Sequence, residues 1–183
     1  ENRREEEKPF LLFYLHKAPH REWLPAPRHY KDFTKRIFPE PPTLFDDYEG
    51  RGTAAREAEM NLLKYMTVSA DNKIYPEMAG ELGVEEMSEW GFRVFKSKYE
   101  RFTPEQKEDW DNTYGPINER FRELYPHMND SSFMRWKYQR YMQDYLGCIA
   151  SVDEGVGRVL ASLDEKGLSA NTIVMYTSDQ GFY

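Results

Sequence analysis

Residues 144–183 read DYLGCIASVDEGVGRVLASLDEKGLSANTIVMYTSDQGFY, and this stretch decides the expected fold. Its apolar residues recur in alternating steps of three and four, which is the spacing of one face of an α-helix and indicates core packing. Gly167 offers a terminator for that helix. The β-branched apolar run TIVMYT at 172–177 then predicts a buried strand. We therefore expect a long helix over about 133–166, a short loop, a strand and a polar turn.

A second apolar run, PFLLFYL at residues 9–15, favours another buried strand because it is continuous and rich in aromatic residues. Helix lies between the two runs, so the strands, at about 9–16 and 172–178, are expected to run parallel in one sheet. In such sheets ligands bind beyond the carboxyl ends of the strands, where the polar loops HKAPHR and SDQG follow. The expected fold class is α/β, with two clear core strands and several helices between them.

Three further segments have predicted structure. Six prolines between residues 18 and 42 predict a long surface loop with little regular structure. Residues 52–68 are rich in helix formers. Thr103, Pro104 and Gln106 form the pattern of a capping box with proline at the first helical position, and this helix is expected to falter at Gly115-Pro116. Ser131 or Ser132 is expected to cap the long helix that follows.

Composition excludes several classes of protein. Of the 183 residues, 15% are aromatic, which is too many for a disordered chain. No apolar run reaches the length of a membrane span. The lone cysteine, Cys148, excludes an internal disulfide and a cysteine-built zinc site, and its apolar helical setting indicates a core residue. The net charge of −7 argues against sequence-independent nucleic-acid binding.

The charge is unevenly distributed. Residues 16–36 contain six basic and two acidic side chains, whereas residues 40–130 contain 20 acidic and 11 basic ones. A local basic segment of this kind is either a solvated face or a mouth that attracts an anionic substrate. The sequence leaves both interpretations open.

Polar residues after the two predicted strands are the candidates for chemistry. Asp179 and Gln180 offer hard oxygen ligands, which suit Ca²⁺ or Mg²⁺, although one pair does not complete a site and Asp179 could simply shape the turn. His16 and His20 have a zinc-like spacing, but Pro19 argues against the helix that this site requires. In a loop, His20 and Lys17 could instead hydrogen-bond an anionic group.

The segments PFLLFYLHKAPHREWLP and DYLGCIASVDEGVGRVLASLDEKGLSANTIVMYTSDQGFY resemble the type I sulfatases of the alkaline-phosphatase superfamily. The resemblance is strongest to bacterial N-acetylglucosamine-6-sulfatase-like and mucin-desulfating enzymes, and PPTLFDDYEGR is also similar to them. It covers nearly the whole chain and is weakest over 74–130. It implies part of a fold in which a large mixed sheet lies between helices, and a periplasmic or secreted location.

The resemblance also implies residue roles. Family members use a formylglycine, made from Cys or Ser in a C/S-x-P/A-x-R motif, and a calcium ion. In the family the calcium ion is held by an acidic pair near the N-terminus and by a later Asp-Asn or Asp-Gln pair. The later pair matches Asp179 and Gln180, and the histidine that contacts the sulfate ester matches His20. Lys17 and His16 lie in the same loop and are expected to face substrate. Trp23 is expected either to line the sugar site by stacking or to pack in the core.

Two parts of the family's machinery do not occur in these residues. The sequence contains no C/S-x-P/A-x-R motif. The N-terminal acidic metal pair is missing too, because Asp46-Asp47 follows the first predicted strand and is better suited to a turn or cap. We therefore expect an internal fragment of the catalytic domain, with formylglycine upstream and no turnover by the chain alone. Its expected parts are a strand and proline-rich active-site loop at 9–42, a helical insert at 43–130, and a long helix, strand and metal-binding turn at 131–183.

Three functions stay open at this point. The first is a sulfatase for glycans, with 6-O-sulfated N-acetylglucosamine as the expected substrate and an open oligomeric state. The second is a phosphomonoester or phosphonate hydrolase of the same superfamily, which differs in its nucleophile segment. The third is a non-enzymatic helical interaction module, which should fold cooperatively alone, whereas a fragment should expose apolar strand edges.

Overall fold

The computed structural model describes residues 8–58, 61–84 and 89–179, and its regular structure there is entirely helical. Two short 3₁₀ helices follow the sixth and seventh α-helices, at Tyr125–His127 and Ser169–Asn171. No helix in the described part is long and apolar enough to cross a membrane. The α-helices are, in chain order, α1 (Pro27–Phe33), α2 (Thr53–Glu57), α3 (Leu62–Tyr65), α4 (Pro76–Glu81), α5 (Trp90–Tyr99), α6 (Pro104–Leu124) and α7 (Asp130–Glu165).

The expected α/β class with two core strands is wrong for the part of the chain that the structure describes. Residues 9–16 and 172–178 contain no assigned strand, and their apolar side chains are exposed, with Leu11 at 78% and Ile173 at 90%. An extended segment becomes a strand only through a ladder of backbone hydrogen bonds to a neighbour. The described residues provide no such ladder, so an apolar, β-branched composition alone did not determine the structure.

The predicted long helix is confirmed as α7, with a different first residue and cap. Asn129 is the N-cap: its side chain accepts a hydrogen bond from the Ser132 backbone N–H, and the Ser132 hydroxyl oxygen accepts one from the Asn129 backbone N–H. The helix therefore begins before the serine that was expected to cap it. It ends as predicted, because Gly167 has φ +63° and its N–H donates to the Asp164 carbonyl.

The apolar stripe of α7, residues 142, 145, 149, 152, 156, 159 and 163, is only partly buried. The stripe residues are partly exposed, as at Ile149, which is 37% exposed. The buried residues lie in the first half of the helix and include the charged Lys137, Arg140 and Asp144. Arg140 and Asp144 form an ion pair at 2.9 Å. Helical periodicity therefore identified the element correctly but not its most deeply buried residues.

The α6 helix confirms the predicted capping box and corrects its predicted end. Thr103 and Gln106 cap one another reciprocally at the start of the helix. Pro116 is exposed and lies inside the helix, which continues to Leu124. Buried side chains lie on both sides of this proline, including Tyr114 and Phe121, so packing offsets the hydrogen bond that the proline lacks.

Two other predictions are partly right. The proline-rich segment 18–42 contains one short helix, α1, which starts with Pro27 at a position where proline is tolerated. Within the described residues of 52–68 the structure has two short helices, α2 and α3. Helix α1 packs against α6 and α7, so the proline-rich segment is held to the helical body.

The core consists of three clusters that surround α6 and the first half of α7. Aromatic side chains dominate one of them, where the Trp110 and Tyr114 rings are 4.4 Å apart. The remaining clusters gather around Phe121 and around Trp23. The buried members are Val68, Ile74, Met78, Ala79, Val84 and Phe121; Trp23, Met66, Tyr141 and Cys148; and Tyr30, Phe95, Trp110 and Tyr114.

Residues 66–74, called here the buried loop, lie between α3 and α4 and are all buried. Loops usually lie on the surface because their backbone polar groups need partners. Here the partners are internal: the Lys137 ammonium donates to the Met66 carbonyl at 2.6 Å, and the Asn118 amide donates to the Lys73 carbonyl at 2.9 Å. Side chains from α6 and α7 thus replace water around this loop.

Candidate functional site

Four of the predicted site residues lie in one turn, residues 16–23, which we call the histidine turn. The His20 backbone N–H donates to the Lys17 carbonyl at 2.9 Å and closes the turn. The Trp23 indole N–H donates to the Pro19 carbonyl, also at 2.9 Å. The Ala18–Pro19 and Arg21–Glu22 peptide bonds are cis. The two hydrogen bonds fold this segment back on itself, so that His16, Lys17 and His20 lie in one turn.

The second half of the histidine turn is anchored to the protein body. The Arg21 guanidinium makes two hydrogen bonds to the Asp71 carboxylate, at 2.8 and 2.5 Å, and Asp71 is completely buried. Glu22 forms an ion pair with Lys98 on α5 at 2.5 Å. Trp23 is only 5% exposed and packs in the core. Three consecutive side chains, those of residues 21–23, therefore anchor the turn to the rest of the protein.

The first half of the turn faces solvent. The side chains of His16, Lys17 and His20 are all exposed. Two imidazoles and an ammonium on an anchored turn can donate hydrogen bonds to an anionic group without first ordering the backbone. The geometry therefore favours recognition of a negatively charged ligand at this surface.

One ring nitrogen of His20 has a defined role in the turn. Nδ1 lies within hydrogen-bond distance of the Arg21 carbonyl oxygen. Because a carbonyl oxygen only accepts, Nδ1 carries the proton and is the donor. Nε2 is then the nitrogen left for a ligand, as an acceptor in the neutral ring and as a donor in the imidazolium. This orientation is what a general acid or base requires.

His16 lies beside the second half of α7. Its ring is 4.4 Å from the Tyr14 ring in an edge-to-face arrangement. Both side chains lie over Gly155, where a Cβ atom would be 2.7 Å from the Tyr14 hydroxyl oxygen and 3.4 Å from the His16 ring. The absence of a side chain at Gly155 therefore permits the close approach of this segment to the helix.

The structure supports a packing role for Trp23. Its ring meets the Tyr141 ring at 4.6 Å, edge to face, and belongs to the same cluster as Met66 and Cys148. The indole N–H is used within the turn by the Pro19 carbonyl. A sugar would meet little of this side chain at the surface.

Part of the basic segment is paired within the protein. Arg28 and His29 both contact Glu154 on α7, at 2.6 and 3.1 Å. The hydrogen bond from Arg28 is the main cause that lowers the pKa of the Glu154 carboxyl. Arg21 is held by Asp71. The segment is therefore partly structural, and Lys17 is an exposed cation in the first half of the histidine turn.

The predicted metal pair is only half described. Asp179 lies in the exposed segment 172–179, and Gln180 lies outside the described residues. Within the described part, no group of three His, Cys, Asp or Glu side chains is close enough to hold a metal ion. Asp179 has the chemistry of a calcium ligand, but the described residues do not complete a site. Asp46 and Asp47 accept the backbone N–H groups of residues 48 and 49, as a turn predicts.

Cys148 is a core residue, as predicted from its setting. It is 2% exposed and packs with Trp23 and Tyr141. Burial, with a contribution from the Asp144 charge, raises the pKa of its thiol to about 12. The side chain is therefore an unreactive thiol at neutral pH.

Sequence reasoning missed the connection between Arg21 and Asp71. Arg21 was visible only as one member of a basic segment, and Asp71 as an isolated acid 50 positions away. The run MTVSADNKIY that contains Asp71 carries no helical or strand period to reveal its burial. No signal within a single sequence would have joined the two residues.

Comparison with known proteins finds similarity along nearly the whole chain. The sulfatase family model matches residues 1–183. An N-acetylglucosamine-6-O-sulfatase from Bacteroides thetaiotaomicron is 43% identical over 180 residues, which are 98% of this chain and 31% of that protein. A solved structure, described as a complex with its substrate D-glucosamine-2-N,6-O-disulfate, is similar with a TM-score of 0.76 and 40% identity. The match covers 90% of this chain and 32% of that one.

These matches show the family of the chain and the share of its relatives' length that it spans. It corresponds to about a third of the length of the proteins that it matches, and the family model accounts for every residue of it. The structural match shows that the helical arrangement described above occurs in a solved protein with related sequence. The chain belongs to the sulfatase family.

Proposed function

We propose that the protein to which these residues belong hydrolyses sulfate esters of glycans, with 6-O-sulfated N-acetylglucosamine as substrate. The observation that carries the proposal is the anchored histidine turn, in which His20 leaves Nε2 for a ligand beside the exposed Lys17. The sulfatase match and the 43% identical glucosamine sulfatase supply the reaction class and the sugar.

In this proposal His20 acts on the leaving oxygen. When the S–O bond of the ester breaks, the sugar oxygen takes up negative charge and needs a proton. The His20 imidazolium, with Nδ1–H held by the Arg21 carbonyl, gives its Nε2 proton to that oxygen. The ring becomes neutral and must be protonated again before the next turnover.

Lys17 and His16 bind and orient the sulfate group in the same proposal. Both side chains are exposed on the first half of the turn, and an ammonium attracts a sulfate anion without a need for strict geometry. Glycan chains that carry several sulfates would also be drawn toward the basic segment.

Asp179 and Gln180 are proposed as two oxygen ligands of a calcium ion, with the remaining ligands and the formylglycine supplied by other parts of the protein. Asp179 and an amide oxygen are hard donors of the kind that Ca²⁺ prefers. When bound, the ion would neutralise charge on the sulfate oxygens. We further propose that the protein works outside the cytoplasm.

Sulfate release by the complete gene product tests the proposal. The enzyme should release sulfate from 6-O-sulfated N-acetylglucosamine, measured by ion chromatography, and His20→Ala should lower kcat by about 10²–10⁴-fold. His127→Ala is the matched control, since this histidine lies in the 3₁₀ helix after α6 and should leave kcat unchanged. Faster phosphate release from the 6-phosphate ester would favour a phosphomonoesterase instead. Full activity of His20→Ala would contradict the role given to that residue.

A further inference from the structure

We infer that Asp71 is a positioning residue for the sulfate-ester site, acting through Arg21 on His20. The inference rests on the proposed function, because it concerns the residue that presents the proposed general acid. Asp71 lies in the buried loop and touches no predicted substrate contact itself. Its effect would be transmitted along the histidine turn.

The Asp71 carboxylate is saturated by donors that fix it in one orientation. Its Oδ2 accepts the Thr67 backbone N–H at 2.7 Å and the Thr67 hydroxyl at 3.0 Å. The remaining donors come from the Arg21 Nε and Nη2 atoms. A fully buried carboxylate with this many donors is ordered by its surroundings and can serve as a rigid reference point.

Arg21 connects the ordered Asp71 carboxylate to the histidine turn at the surface. Its side chain is 40% exposed, yet it contacts the buried carboxylate with two nitrogens and the Tyr65 carbonyl at 3.0 Å. Its guanidinium also lies 4.9 Å from the centre of the Trp90 ring. A planar group held on several sides has little freedom to rotate, so the Arg21 backbone is fixed as well.

The Arg21 backbone is the part that meets His20. The Arg21 carbonyl accepts the Nδ1 proton of the imidazole and thereby selects both its tautomer and its direction. A displacement of this carbonyl would release the ring and turn Nε2 away from the leaving oxygen. A shift of about 1 Å in a catalytic group costs on the order of 10²-fold in rate.

The test compares Asp71→Asn with a matched variant in the complete gene product. An asparagine amide keeps the shape but offers one oxygen where two are used, so Arg21 loses one of its two acceptors in either orientation of the amide. We expect kcat to fall by about 10–100-fold with a smaller change in KM. The control is Asp144→Asn, which weakens a pair with Arg140 whose carboxylate is also buried. It should lower Tm and leave kcat within about twofold at temperatures where the protein is folded.

A double-mutant cycle with His20→Ala separates positioning from general destabilisation. If Asp71 acts through His20, adding Asp71→Asn to His20→Ala should change kcat by less than about twofold. Independent multiplication of the two losses would overturn the inference, as would equal losses in Asp71→Asn and Asp144→Asn. An inactive His20→Ala with a fully active Asp71→Asn overturns this inference alone, whereas a fully active His20→Ala overturns the proposed role of His20 as well.

Arg21→Lys provides a second variant if Asp71→Asn fails to fold. Lysine keeps the positive charge against the carboxylate but cannot make the two-pronged contact. Because the Arg21 side chain is partly exposed, the change should be tolerated better than one in the buried loop. We expect a loss in kcat of about 3–10-fold that also disappears in the His20→Ala background, and an undiminished kcat would overturn the inference.

Discussion

The buried loop and the two apolar runs both differ from the usual relation between polarity and burial, in which polar segments are exposed and apolar segments are buried. The loop, residues 66–74, contains Asp71, Asn72 and Lys73 and is buried throughout. The runs at 10–15 and 173–176 are almost wholly apolar and are exposed. The difference teaches that burial in this chain follows the supply of partners. Polar groups of the loop meet side chains from α6 and α7, whereas the described residues offer the runs no comparable surface.

Removing a partner of the buried loop should have the largest effect. Lys137 is 2% exposed and its ammonium donates to the Leu63 and Met66 carbonyls. Lys137→Met would leave both oxygens buried without this donor, so we expect the free energy of unfolding of the chain to fall by about 2–5 kcal/mol. Urea denaturation measures it. The exposed Lys35→Met is the control, and an equal loss in the two variants would contradict the comparison.

A matched pair of isoleucines tests the two regions directly. Ile74 is completely buried and Ile173 is 90% exposed. Ile74→Thr removes apolar volume and adds a hydroxyl to the core, which should cost about 1.5–3 kcal/mol. Ile173→Thr should change the stability of the chain by less than about 0.5 kcal/mol. Chemical denaturation of both variants under one set of conditions decides; similar losses would mean that the 173–176 run is buried in solution.

Glycines in the two halves of α7 should respond with opposite sign. A Cβ atom at Gly147 would lie 2.8 Å from the Pro25 ring, whereas nothing lies within 4 Å of one at Gly157. We expect Gly147→Ala to destabilise the chain by about 1–2 kcal/mol. Gly157→Ala should stabilise it by about 0.5–1 kcal/mol through helix propensity. Thermal unfolding by circular dichroism is sufficient, and a loss at both positions would place the second half of α7 inside the body.

Because the Cys148 thiol is buried, we expect the free energy of unfolding of the chain to fall modestly at alkaline pH. Burial raises the pKa of its thiol to about 12 in the folded chain, against roughly 8.5 when unfolded. Between these values the unfolded state binds fewer protons, so the free energy of unfolding falls as pH rises, by about 0.5–1 kcal/mol at pH 9. The slope between pH 7.5 and 9 measures this effect. Cys148→Ala should flatten the slope, and an unchanged slope would assign the loss to another group.

Helices were predictable from the sequence because their signals are local. The capping box at Thr103 and Gln106 and the termination at Gly167 depend on residues a few positions apart, and both are found. The end predicted at Pro116 failed because packing on both sides of the proline outweighs one missing hydrogen bond. The strands failed because pairing is a property of two segments, and neither apolar run carries its partner in its own composition.

The same difference between local and long-range signals applies to the candidate site. His16, Lys17 and His20 could be named from the polar loop that follows an apolar run, and the structure does bring them into one turn. The anchor of that turn could not be named, since Arg21 and Asp71 are joined across 50 positions by folding alone. The residues proposed to meet substrate were therefore visible in the sequence, and the residue inferred to position them was not.

The burial of residues 66–74 has a practical consequence for protein engineering. Irregular segments between helices are normally where affinity tags, reporter domains and protease sites are inserted. Here the segment between α3 and α4 would be the worst choice, since an insertion would separate Asp71 from Arg21 and Lys137 from its carbonyl partners. The stretch that follows Tyr48, where Gly50 is exposed, would accept foreign sequence far more readily.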